Sequence, residues 1–229
     1  MSKNNIKNYL LYAFGEIALV MIGILLALQV NNWNETRKRK QELSSILNTV
    51  KLDLVRDTII AKGIIDFYEA NEKSSLKFIN KEITKDSLTT CLLCRNLITV
   101  YRPFAIQTKG LEMIKNYSNQ NNVKNDSLIL TVTQFYGTLS QLIEDSNGFI
   151  KKEVLKNIES FQEKPWYVDW TQGKMTPAIM EYYLSEDYRK RVASHNIFGS
   201  KNHLQFVTVY KNGAKKIIEM IDSKSTEKK

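Results

Sequence analysis

Residues 9–35 read YLLYAFGEIALVMIGILLALQVNNWNE, and the reading of this run decides the architecture. From Tyr9 to Val30 the residues are mostly Leu, Ile, Val, Ala, Met and Gly. At ~1.5 Å of rise per residue they make roughly 33 Å of helix, a match to the ~30 Å hydrocarbon core of a bilayer. Tyr9, Tyr12 and Trp33 stand near the two ends, where amphipathic rings favour a membrane interface. A cleaved signal peptide does not fit: its apolar core spans only ~7–15 residues, and no small-x-small cleavage site follows Ala27. Residues 9–30 are therefore expected to form a transmembrane helix behind a short leader, residues 1–8.

Inside this apolar run stands one acid, Glu16. An isolated carboxylate in hydrocarbon costs at least ~2.5 kcal/mol, so its surroundings matter. At ~100° per residue, Glu16 and Gly23 point within ~20° of each other, with Ala27 ~40° further round. Ala13, Gly15 and Val20 flank the same side. Small residues let a second helix approach closely, and a carboxyl among them can hydrogen-bond across the contact. Gly15, Glu16, Val20, Gly23 and Ala27 are thus the expected helix–helix contact face. Two other readings remain open: a proton- or ion-handling carboxylate, and a Glu near enough to the headgroups to reach water.

Residues 31–41 read as an interfacial collar and basic linker. Asn31, Asn32 and Asn34 bring amides to the headgroup zone, and Trp33 anchors there. Arg37, Lys38, Arg39 and Lys40 follow at the level of the lipid phosphates. Lys3 and Lys7 precede the span, so the positive-charge count nearly balances across it, slightly favouring the trailing end inside.

Beyond the anchor the chain keeps enough apolar residues for a core, 43% overall, and has only 9 Gly and 3 Pro in 229 residues. Scarcity of breakers favours long helices over strands. Leu43, Leu47, Val50, Leu54, Ala61, Ile65 and Tyr68 recur at helical spacing from Glu42 onward, nearly continuous with the span. Asp86 or Ser87 is a candidate cap for a second helix reaching about Val100, before Pro103. A short helix follows from Gly110 to Tyr117, then a polar loop, SNQNNVKND, at 118–126. Asp126 caps the longest run, which carries Leu128, Val132, Phe135, Leu139, Leu142, Phe149, Val154, Ile158 and Phe161, with Gly148 a possible kink. PWYVDWTQG, 165–173, reads as an aromatic loop packed under one end of the domain. A last helix is expected from Ser185 toward Ile221 with Val192, Phe206, Val209, Tyr210 and Ile217 inward. Within it LQFVTVY is ambiguous between helix and strand, and residues 222–229 read as a disordered tail. The expected fold is mainly α: one N-terminal transmembrane helix, then an antiparallel helical bundle over 42–221.

The net charge of +9 points to a basic surface near anionic lipid, since the lysines are dispersed among acids and no nucleic-acid motif is present. Cys91 and Cys94 form C-L-L-C, with both sulfurs on one helical face. With Leu92 and Leu93 between them, buried thiols in a core are favoured. A minority alternative adds His195 and His203 to make four zinc ligands. No nucleophile elbow, phosphate loop or metalloprotease motif is present, so neither an enzyme nor a cofactor is expected.

The string GEIALVMIGILLALQVNNWNE, 15–35, resembles the signature of an uncharacterised family of single-span membrane proteins from Bacteroidota. Gly15, Glu16, Ile17, Gly23, Ala27, Gln29, Asn31, Asn32, Trp33, Asn34 and Glu35 carry the resemblance. YRPFAIQTKGLEMIKN and SEDYRKRVASHNIF are similar to later segments of that family. The resemblance implies a bacterial inner-membrane protein with its start inside the cell and its bundle in the periplasm. It implies no activity.

These readings converge on a non-enzymatic single-pass protein whose helical domain binds an envelope partner or ligand. It would self-assemble, or meet other membrane proteins, through the membrane helix, with lipid as its surroundings. The alternatives are a subunit of an ion-driven complex with Glu16 titrating, and a membrane-anchored sensor domain.

Overall fold

The computed structural model describes residues 3–121 and 126–226, and these are mainly helical, with no strand among them. Helix α1, Lys3–Ile79, runs without interruption through the apolar stretch, the asparagine-rich collar, the basic run and Gly63. Nothing in its sequence breaks the i→i−4 ladder, because it contains no proline. It is followed by α2, Lys85–Thr90; α3, Leu92–Arg95; α4, Lys109–Asn121; and α5, Ser127–Gln162. Then come α6, Tyr167–Thr171; α7, Pro177–Tyr183; α8, Glu186–Asn196; a π-helical stretch, Ile197–His203; and α9, Leu204–Thr226.

The chain divides into two compact units, residues 1–47 and 48–229. In the first, the large apolar side chains of α1 are exposed, Leu19 at 72% and Leu26 at 57%. This helix is long and apolar enough to cross a membrane, and its apolar window has none of its residues buried.

The second unit has a true core. From α1, Val50, Leu54, Ala61, Ile64 and Tyr68 are buried, at the three- and four-residue steps that keep one helical face inward. Helix α5 packs against α8, the π stretch and α9, burying Val132, Tyr136, Ile143, Ile150 and Phe161. Helix α4 comes so close to α1 that a Cβ on Gly110 would stand 2.7 Å from the Val50 Cα. Glycine is needed there because backbone, not a movable side chain, occupies the space.

Several boundaries differ from the sequence reading. The helix expected from 86 to 100 breaks at Cys91, which leaves the helical region (ψ 91°) and caps α3. Gly148 does not interrupt α5. LQFVTVY is helical, in α9. That helix continues past Ile221 to Thr226, where a disordered tail is expected; Lys224 pairs there with Asp126 at 2.8 Å. The aromatic loop holds α6, and α7 with Thr176 as its cap is an element that the sequence reading lacks. Residues 1–2 of the leader, 122–125 of the polar loop and 227–229 of the tail lie outside the described residues.

Two inward faces are also corrected. On α5 the buried positions are Tyr136, Ile143 and Ile150, while Leu142 and Phe149 are exposed. On the last helix Val207 is buried instead of Val209, which is 49% exposed, and Phe206 is half-buried. Val207 lies four residues after the buried His203 and three before the buried Tyr210, so it shares their inward face, which Val209 does not.

Candidate functional site

On the first unit, Gly15 and Gly23 have open space where a Cβ would stand. Glu16, Val20 and Ala27 are likewise exposed. Ala13, Glu16, Ile17, Val20 and Met21 line a shallow depression on this helix. A second lies one to two turns beyond Gly23, lined by Leu26, Ala27, Val30, Asn31, Trp33 and Asn34. The small residues make these hollows because they leave room between larger neighbours. The helix thus presents a carboxyl and two hollows to whatever surrounds it.

The collar is tied along the helix. Asn31 Nδ2 donates to Glu35 Oε1 at 3.2 Å, and Thr36 Oγ1 donates to the Asn32 carbonyl at 2.8 Å. The Arg37 guanidinium lies 5.9 Å from the Trp33 ring centre, a cation–π distance. Lys38, Arg39 and Lys40 are exposed on the same helix. A basic charge held over an indole suits a boundary between apolar and anionic surroundings.

Within the second unit a row of polar side chains replaces part of the expected apolar stripe. Asp57, Asn71 and Ser75 of α1 are buried, as are Ser146 and Asn157 of α5, and His195, Asn196, Ser200 and His203. Tyr210 Oη donates to Asp57 Oδ2 at 2.6 Å, and the Gln107 N–H donates to the same carboxylate at 3.2 Å. Burial outweighs these bonds and raises the Asp57 pKa to about 6. Ser200 Oγ donates to the Tyr68 carbonyl at 3.2 Å. Ser146 Oγ and His203 Nδ1 are 2.8 Å apart. Burial lowers the pKa of both His195 and His203 to about 4, keeping them neutral near pH 7.

Asp57 and other side chains of α1 and α5 also hold a segment without regular secondary structure, residues 101–108. Tyr68 Oη accepts the Arg102 N–H at 3.1 Å. The Asn147 amide accepts the Phe104 N–H at 3.0 Å and donates to its carbonyl at 2.8 Å. Asp53 accepts the Gly110 N–H at 2.7 Å, at the start of α4. Buried backbone groups require partners, and here side chains supply them.

Cys91 and Cys94 are joined as a disulfide, which corrects the expectation of two buried thiols. Their sulfurs bind each other rather than a metal. His203 is engaged with Ser146 instead of a cysteine. No group of three or more metal-ligating side chains occurs among the described residues. Cys94 is 1% exposed in a core with Leu88, Leu97, Phe161 and Tyr188, whereas Cys91 is partly exposed. The expected aromatic lid covers this core: the Trp166 and Trp170 rings stand 5.4 and 5.0 Å from Phe161, edge-on. Trp170 Nε1 donates to Tyr183 Oη at 2.9 Å, and Tyr183 Oη donates to the Arg95 carbonyl at 2.9 Å. The lid is thereby bonded to the loop that carries the disulfide.

Apart from His195 and His203, the buried polar row is invisible to apolar periodicity, which skips polar residues. The only signal was a gap at Asp57 in an otherwise regular stripe from Leu54 to Ala61.

No curated protein and no solved structure matches the chain. Residues 16–99, from Glu16 in the apolar helix to Thr99 beyond the disulfide loop, match the model of a family of unknown function, DUF6090.

Proposed function

We propose that this chain is a non-enzymatic, single-pass protein of a bacterial inner membrane, which self-assembles through the span and uses its helical domain to bind an envelope partner or ligand. One observation carries the reading: α1 leaves its apolar residues from Phe14 to Val30 exposed, with Glu16 set among small residues that leave room for a second helix. Water would not tolerate such a surface, and lipid or another helix would cover it. Arg37, Lys38, Arg39 and Lys40 sit where they would meet lipid phosphates.

The domain is an antiparallel helical bundle in this reading. Its support is the order of partners along α1: Asp57 meets Tyr210, Tyr68 meets Ser200 and Phe78 meets Tyr188. A periplasmic position is supported by the Cys91–Cys94 disulfide, since disulfides persist in oxidising compartments.

Self-assembly is tested by crosslinking the full-length protein in membranes and by a membrane two-hybrid assay. Wild type is expected to associate, and Gly23→Leu and Glu16→Leu to weaken association. Unchanged association in both variants refutes the packing role. Loss of function in Glu16→Gln with assembly intact would instead make Glu16 a titrating group of an ion-driven complex.

A further inference from the structure

The Cys91–Cys94 crosslink joins residues only three positions apart. In the chain-entropy account, stabilisation by a disulfide grows with the loop that it closes, so such a short loop constrains the unfolded chain least. The domain has long-range ties elsewhere, such as Tyr210 to Asp57 and Asn157 Nδ2 to the Ile98 carbonyl. Holding the fold together is therefore a small part of what this crosslink can do.

Its two sulfurs have different surroundings. Cys94 lies 1% exposed in the apolar core, and the backbone on its side is anchored. Tyr188 Oη donates to the Cys94 carbonyl at 3.2 Å, and Tyr183 Oη to the Arg95 carbonyl at 2.9 Å. Cys91 is partly exposed at the break between α2 and α3. Its Sγ accepts the Cys94 N–H at 3.2 Å. The Arg95 guanidinium reaches back to the Thr89 carbonyl at 3.1 Å, which brings a fixed positive charge to the same turn. A backbone donor and a nearby cation both favour a thiolate over a thiol.

We propose that Cys91–Cys94 is a thiol–disulfide exchange site that accepts two electrons from an exposed dithiol of another protein, with Cys91 the sulfur attacked. A thiolate of the partner bonds to Cys91 Sγ and the Cys91–Cys94 bond breaks. Cys94 leaves as a thiolate and takes a proton from water. The partner's second thiolate then attacks its own sulfur in the mixed disulfide, and Cys91 leaves as a thiolate held by the Cys94 N–H. The partner dithiol is oxidised to a disulfide, and the Cys91–Cys94 pair is reduced to a Cys94 thiol and a Cys91 thiolate. The asymmetry of access fixes the order, because a partner cannot reach Cys94 without opening the core.

The test uses the full-length protein in detergent. Wild type is incubated with dithiothreitol under native conditions, followed by maleimide mass tagging and far-ultraviolet circular dichroism. Full reduction with the helical signal retained is expected; reduction only after denaturant is added overturns the proposal. In parallel, Cys94→Ser and Cys91→Ser are reacted with dithionitrobenzoate, a chromogenic aromatic disulfide. The Cys91 thiol of Cys94→Ser is expected to form the mixed disulfide at least about tenfold faster than the Cys94 thiol of Cys91→Ser. Equal or reversed rates overturn it. If either variant fails to fold, the wild-type reduction decides alone.

Discussion

Tyr210 Oη donates to Asp57 Oδ2 at 2.6 Å, joining α9 to α1 across 153 positions of sequence. Asp57 is fully buried, and its other partner is the Gln107 N–H, which starts the approach to α4. One carboxylate therefore ties three parts of the domain together. Tyr210→Phe removes the phenolic donor and leaves a buried carboxylate short of a partner. A hydrogen bond to a charged group contributes about 1.5–3 kcal/mol, so a loss of that size is expected. Urea denaturation of the full-length protein in detergent measures it.

Acid acts on the domain through opposed groups. His195 and His203 have folded pKa values near 4 against an ordinary 6.5, so their contribution is present above pH 6.5 and is lost as pH falls through 4. Asp57 is raised from 3.8 to about 6, so its contribution is full below 3.8 and is lost as pH rises through 6. Two histidines outweigh one aspartate, and net stability falls from pH 6.5 to 4. His203→Gln is expected to flatten that fall and Asp57→Asn to steepen it. Thermal unfolding midpoints across this range decide, and a slope unchanged in both variants contradicts the assignment.

The Gly110 position allows no side chain. A Cβ there would stand 2.7 Å from the Val50 Cα, and its own N–H is bound to Asp53 at 2.7 Å, so α4 cannot simply slide away. Overpacking against backbone costs typically about 1–3 kcal/mol. Gly110→Ala is expected to lose stability in that range, whereas Gly137→Ala, with open space at its Cβ, is not. Comparing their denaturation midpoints checks the claim.

The irregular segment 101–108 depends on side-chain partners. Asn147→Ala leaves both the N–H and the carbonyl of Phe104 without their observed partner. Each buried backbone group left unpaired costs about 1–3 kcal/mol. Faster amide hydrogen exchange at Phe104 is the specific signature, because a general loosening would raise exchange throughout α5 as well.

Much of the helical architecture was legible because its determinants are local. Low Gly and Pro content, the Asp126 cap and the apolar steps from Val50 to Tyr68 each act within one or two turns. Asp126 does accept the Leu128 and Ile129 N–H groups, at 3.0 and 3.2 Å. What escaped was set by distant contacts. Asp57, Asn71 and Ser75 look like solvent-facing residues in the sequence but are buried, and Asp57 meets Tyr210 of α9 and the Gln107 N–H. Val207 rather than Val209 faces inward because it stands at three- and four-residue steps from the buried Tyr210 and His203. Cys91 and Cys94 have helical spacing, but the chain leaves the helix at Cys91, and the sulfurs meet. On the apolar part of α1 the angles between Glu16, Gly23 and Ala27 follow from helix geometry alone, so they can be read without any distant contact.

The central claim is that α1 crosses the membrane once and places the helical domain outside the cytoplasm. Alkaline phosphatase and green fluorescent protein, each fused after Lys229, test it most directly. The account predicts an active phosphatase, no fluorescence, and protein retained in membranes after an alkaline carbonate wash. A fluorescent fusion with inactive phosphatase, or release by the wash, would contradict it.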